Sequence, residues 1–124
     1  MKTALLEKEL VYDINGCVFE VYKELGHGFL EKVYENALII EMENKGFKVE
    51  SQKPLKVLYN SQIIGEYVTD IIVNGKVLIE LKAQSNILKI HEAQILNYLK
   101  ATGIKIGLLV NFAYPKASVK RFIL

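Results

Sequence analysis

The sequence predicts an α/β (α+β) domain in which helices flank a mixed central sheet, and three observations point there. Apolar residues recur at helical spacing through the first part of the chain. Two short β-runs, Thr69 to Val73 and Lys76 to Ala83, meet at Asn74-Gly75, a strong hairpin signal. Lys105 to Phe112 is apolar enough to suit a strand covered on both faces. Together the segments run α-α-β-β-β-β-α-β-β.

The first helix rests on Leu6, Leu10, Ile14, Cys17, Val18, Val21 and Leu25. Cys17 lies on that stripe, so a buried structural thiol is expected rather than a reactive one. Gly26-His27-Gly28 breaks the helix, and His27 between two glycines reads as a solvated linker residue rather than a proton shuttle. A second helix is expected from about Leu30 to Lys45, with Leu30, Val33, Tyr34, Ala37 and Leu38 facing in and Gly46 just past its end. Three β-segments follow: Phe47 to Gln52, Leu55 to Tyr59 and Gln62 to Val73. Pro54 opens the second, Asn60-Ser61 makes a tight turn, and Gly65 bends the long third. Lys53 and Lys56 read as solvated strand lysines, with phosphate contact as the sharper alternative.

The third helix, near Ile87 to Thr102, takes Ser85 or Asn86 as N-cap and ends at Gly103. Leu88, His91, Ile95 and Leu99 form its stripe, with Gln94 and Tyr98 sharing a neighbouring one. His91 is expected to be partly buried, and no His or Cys partners it at a zinc-ligand spacing. Tyr114-Pro115 turns the chain after the apolar strand, and Val119 to Leu124 supplies the last strand.

Length and composition bound the rest. At 124 residues the expected organisation is one domain, 1–124, able to bury about two-thirds of its unfolded surface. Hydrophobic residues at 51% and charged residues at 24% describe an ordinary globular protein. No stretch is apolar for long enough to span a membrane, and the first residues are too broken by charge for a signal peptide. One cysteine excludes an internal disulfide and fits a reducing cytoplasm, the expected location. A net charge of only +2 does not by itself announce nucleic-acid binding.

Chemistry concentrates in Asp70 to Lys82. Alternation on the second β-run sends Glu80 and Lys82 out of one face, and burying such charges is costly unless they pair or hold a metal. A plain two-residue loop would pair Asp70 with Ile79 and point it away from Glu80. A common site therefore needs a register one residue off, most simply from a type I turn with Gly75 as a left-handed bulge. Asp70 would then face Leu78, with Glu80 its diagonal neighbour at roughly 7–8 Å.

This stretch resembles the PD-(D/E)xK nuclease superfamily, whose signature is an acid, a variable gap and Glu-x-Lys. Asp70, Glu80 and Lys82 fill the three positions, with Thr69 where the name has proline. Gly28-Phe-Leu-Glu31-Lys-Val-Tyr34 resembles the motif of the small bacterial and archaeal GxxExxY proteins, a branch of that superfamily. Gln94-Ile-Leu-Asn-Tyr98 is similar to the Q-x-x-x-Y element of its RecB-like members. The resemblance implies a restriction-endonuclease-like αβββαβ core. It further implies hydrolysis of phosphodiester bonds in nucleic acid, with DNA the expected substrate, by Mg²⁺ or Mn²⁺. Asp70, Glu80, the backbone carbonyl of Leu81 and Glu31 would serve the ion, Lys82 would position water and stabilise the phosphorane, and Gln94 would orient water or phosphate. Two other readings stay open: a non-catalytic module that binds nucleic acid or protein, with Glu80–Lys82 a mere ion pair, and an assembly protein whose apolar strands pair in a homodimer.

Overall fold

The computed structural model describes residues 7–124 and places three helices around a five-stranded mixed sheet. Helix α1 spans Lys8–Leu25 and buries Ile14, Cys17, Val18 and Val21 of the expected stripe together with Val11, while Leu10 and Leu25 are only partly buried; Leu6 lies outside the described residues. Cys17 is fully buried, and desolvation pushes its thiol pKa up, which disfavours the reactive thiolate.

Helix α2 spans Glu31–Asn44. It closes with a Schellman motif: the Gly46 N–H donates to the Glu43 carbonyl at 2.9 Å and the Phe47 N–H to the Met42 carbonyl at 3.2 Å. Gly46 has φ +86, a conformation glycine adopts without a Cβ clash. The inner face of α2 keeps Tyr34, Ala37 and Leu38 of the expected set but not its first two members. Leu30, which precedes the first helical turn, is 80% exposed, and Val33 is 40% exposed. The buried set is Tyr34, Glu35, Leu38 and Met42, so an acid occupies a core-facing position. Tyr34 stacks on Phe112 with ring centres 4.4 Å apart, while its hydroxyl donates to the Gly26 carbonyl at 2.6 Å. That contact fixes the α1–α2 turn over the sheet.

The strands are β1 (Val49–Tyr59), β2 (Gln62–Val73), β3 (Val77–Lys82), β4 (Ile106–Phe112) and β5 (Ala117–Ile123), in spatial order β1-β2-β3-β4-β5. Only β3 and β4 run parallel, joined through helix α3 (Lys89–Thr102). Helices α1 and α2 cover one face with Ile79, Leu81, Leu108 and Val110; α3 covers the other with Leu78 and Leu109. Every residue of β4 is buried, as its mostly apolar run predicts, Asn111 being the one polar member.

Phe47–Gln52 and Leu55–Tyr59 prove to be one strand. Pro54 sits within β1, which lies at the sheet edge, where a missing N–H is tolerated. The bend of β2 falls beside Gly65, where Ile64 is the extra residue between the Val57–Gly65 and Leu58–Ile63 pairs. Asn60 and Ser61, both at positive φ, form the expected turn.

Helix α3 starts later than expected, and neither Ser85 nor Asn86 caps it. Leu88 is its N-cap, and His91 Nδ1 accepts the Leu88 N–H at 3.0 Å. The helix seats on β4 at Gly107, where an added Cβ would stand 3.0 Å from Ile95 Cδ1 and 3.2 Å from Leu99 Cδ1. Gly107→Val is expected to lower stability by about 2–3 kcal/mol, measured by urea denaturation, because α3 must lift from the sheet. An unchanged midpoint would mean that this contact is loose.

Candidate active site

The β2–β3 hairpin is paired through Val73–Val77, Ile72–Leu78 and Ile71–Ile79. Asn74, Gly75 and Lys76 therefore form the loop; the backbone pairing ends at Ile71–Ile79, and continuing that register would bring Asp70 across from Glu80. A one-residue shift from the plain hairpin does occur, in the direction opposite to the expected one. The diagonal arrangement with Asp70 facing Leu78 is replaced by a head-on pair. The turn is not type I either, since Asn74 and Gly75 both have positive φ, 53° and 66°. Lys48, just before β1, holds it there: the Asn74 N–H donates to the Lys48 carbonyl, and the Lys48 N–H to Asn74 Oδ1, each at 2.8 Å.

Beyond Ile71–Ile79 the carboxylates take over from the backbone ladder. The Asp70 N–H donates to Glu80 Oε1 at 3.2 Å, and the Leu81 N–H to Asp70 Oδ2 at 2.8 Å. Alternation also breaks here. Tyr67 lies 5.8 Å from the Tyr98 ring of α3, whereas Ile71, four residues on, packs with α1 and α2. The reversal coincides with Gln52, opposite Asp70 on β1, which has φ +52. A left-handed glutamine is uncommon, and such kinks re-aim side chains beside functional sites.

The electrostatics follow from burial. Glu80 is 5% exposed; desolvation, then the charge of Asp70, push its pKa up to about 8. Asp70 is raised by desolvation and by the charge of Glu35, against the lowering effect of the Leu81 N–H. Lys82 is half-buried at the end of β3, and its charge favours the ionised form of both acids. On the α3 side, Gln94 Nε2 donates to the Tyr98 hydroxyl at 2.8 Å. Desolvation and the Glu80 charge raise the pKa of Tyr98, which places that ring within the field of the acid pair.

The structure thus brings together Asp70, Glu80, Lys82 and the Leu81 backbone, with Gln94 reaching them through Tyr98. Glu31 is placed elsewhere: it is exposed in the first turn of α2. The acid of that helix whose charge reaches Asp70 is Glu35, 4% exposed. Both Glu35 oxygens accept from Gln52 Nε2, at 3.0 and 3.1 Å, and Oε2 lies 3.3 Å from Lys32 Nζ. Sequence reading passed over both residues. The only signal was that Glu35 follows Tyr34 on the inward side of the helix.

The sequence profile of the PD-(D/E)XK nuclease superfamily matches residues 8–122. The chain belongs to that superfamily. Thr69-Asp70 and Glu80-Leu81-Lys82, the residues whose sequence resembles that superfamily's signature, both fall within the matched span. Thr69 is fully buried, its hydroxyl donating to the Lys53 carbonyl at 3.2 Å. Among solved structures, the crystal structure of SSO0001 matches with a TM-score of 0.61 at 15% identity, over 74% of this chain and 48% of that one. That likeness concerns the fold, and this PD-(D/E)XK chain spans about half the length of that protein. No curated protein matches. Among the described residues, no helix is long and apolar enough to cross a membrane.

Proposed function

We propose that this protein is a metal-dependent phosphodiester hydrolase acting on nucleic acid, with DNA as the expected substrate, in the manner of the GxxExxY branch. The observation that carries the reading is the head-on Asp70–Glu80 pair, desolvated at the point where the strand ladder opens and flanked by Lys82. Both acids are raised by desolvation, and Glu80 further by the charge of Asp70, so a shared dication would relieve them. Among the described residues, no group of three His, Cys, Asp or Glu is gathered closely enough for an all-protein cage. Hard carboxylate oxygens in a pair nonetheless fit Mg²⁺ or Mn²⁺, since Mg²⁺ is commonly held by one or two carboxylates with water completing its shell.

Asp70 and Glu80 would hold the ion, with the Leu81 carbonyl beside them, and Glu35 takes the supporting place first assigned to Glu31. The bound ion supplies a water of lowered pKa and neutralises charge on the phosphate. Lys82 orients the attacking water and stabilises the negative charge that builds at phosphorus. Gln94, bonded to the Tyr98 hydroxyl within the field of the acids, would orient water or phosphate.

Incubation of plasmid, branched and single-stranded DNA, and of RNA, with Mg²⁺ or Mn²⁺ tests the reading. Cleavage that stops on chelation is the expected result, and binding without cleavage under either ion would overturn it. Thermal unfolding gives a second readout: at a hundredfold excess over Kd the ion should add about 2–3 kcal/mol. Glu80→Ala should abolish that gain, and a gain that survives the substitution would move the ion elsewhere.

A further inference from the structure

A groove of about 820 Å³ runs between the outer part of the β1–β2 hairpin and helix α3. Gln94 and Tyr98 form part of its wall, and the charges of Glu80 and Asp70 reach Tyr98, so the groove borders the acid pair although neither acid lines it. Its floor is apolar, from Leu55 and Val57. Lys56 and Lys100 stand on its two sides, and among the described residues lining it none is acidic. Tyr67 is 49% exposed there, its ring tilted 50° to that of Tyr98.

We propose that this groove receives unpaired nucleotides of the substrate strand and leads them to the acid pair. The inference rests on the nuclease reading above and adds the substrate class. The volume is that of a small-ligand cleft, too confined for a duplex to enter with both strands. Aromatic rings supply a surface on which any base stacks, and flanking lysines follow the phosphates; that combination defines single-strand grooves. An apolar floor with cations at its rim suits bases turned inward and phosphates outward. A single strand, a frayed end or a flap meets those terms. The two lysines, with no acid among the described residues lining the groove, also explain how a chain of net charge only +2 would hold a polyanion.

Fluorescence anisotropy in EDTA, with a labelled oligothymidylate against a blunt duplex of equal length, tests this without turnover. The single strand should bind at least about tenfold more tightly, and Tyr67→Ala should remove about tenfold of that affinity while Tyr67→Phe retains it. Lys56→Ala and Lys100→Ala should each lessen the salt slope by about 0.7. Tyr67 is half-exposed, and a wild-type melting temperature will certify the variants as folded. Equal or tighter duplex binding, or unchanged affinity in Tyr67→Ala, would overturn the proposal. So would sedimentation showing that Tyr67→Ala turns a dimer into a monomer, since the groove would then be filled by a second copy. Metal-dependent cleavage without single-strand preference would remove the groove assignment alone; single-strand preference in a protein that never cuts would remove the catalytic reading alone.

Discussion

Replacing Lys82 by alanine is expected to lower metal-dependent cleavage by about 10²–10³-fold, the usual effect of deleting one group that stabilises transition-state charge. Lys82 ends β3 half-buried, and the structural load on that strand falls on Val77, Leu78, Ile79 and Leu81, all buried. The melting temperature should therefore move little, which separates loss of chemistry from loss of fold. Asp70→Asn should be comparably inactive, since it removes charge from the ion's seat while its carbonyl can still accept the Leu81 N–H. The decisive measurement is single-turnover cleavage at saturating Mg²⁺. A Lys82→Ala protein that cuts at the wild-type rate would remove the lysine from the mechanism.

The second large effect runs the other way. Glu80→Gln is expected to stabilise the ion-free protein at pH 8 by about 1–3 kcal/mol, as happens when a poorly compensated buried charge is neutralised. The direction follows from where the proton sits. Glu80 titrates near its ordinary 4.5 in the unfolded chain and at about 8 in the folded one. Between those values the folded state binds the extra proton, so this group's contribution is full below pH 4.5 and is lost as pH rises toward 8. Asp70, also raised, acts in the same sense. Urea denaturation in EDTA should therefore give coincident curves for wild type and Glu80→Gln near pH 4.5, diverging as pH increases. A variant less stable than wild type at pH 8 would contradict the burial argument. The same proton competes with the ion, so apparent metal affinity should climb with pH up to about 8.

What the sequence disclosed and what it concealed divide along a physical line. The α1 stripe, the buried β4 run, the Gly46 and Gly103 helix ends and the Asn74-Gly75 turn are each decided by residues close together in the chain, and local periodicity reveals them. The motif placed Asp70, Glu80 and Lys82 on one hairpin because their spacing is also local. The register was less accessible. It depends on Lys48, just ahead of β1, gripping Asn74 in a contact that spans 26 residues. The burial of Glu35 was hidden for the same reason, since its amide partner Gln52 stands 17 residues away on a kinked strand. An acid beside an apolar stripe is ordinarily a solvated one. Leu30 and Val33 failed in the opposite sense: apolar residues at the mouth of a helix satisfied the periodicity yet have little to pack on.

One oxygen of Asp70 is engaged by the Leu81 N–H and one of Glu80 by the Asp70 N–H. That leaves one oxygen of each acid with no backbone donor upon it among the described residues, an arrangement that would favour one-oxygen ligation over the bidentate grip that large ions such as Ca²⁺ often receive. Discrimination by ionic radius would thus be inherited from the way two neighbouring strands part company, and Ca²⁺ should prove a poor substitute at the hairpin.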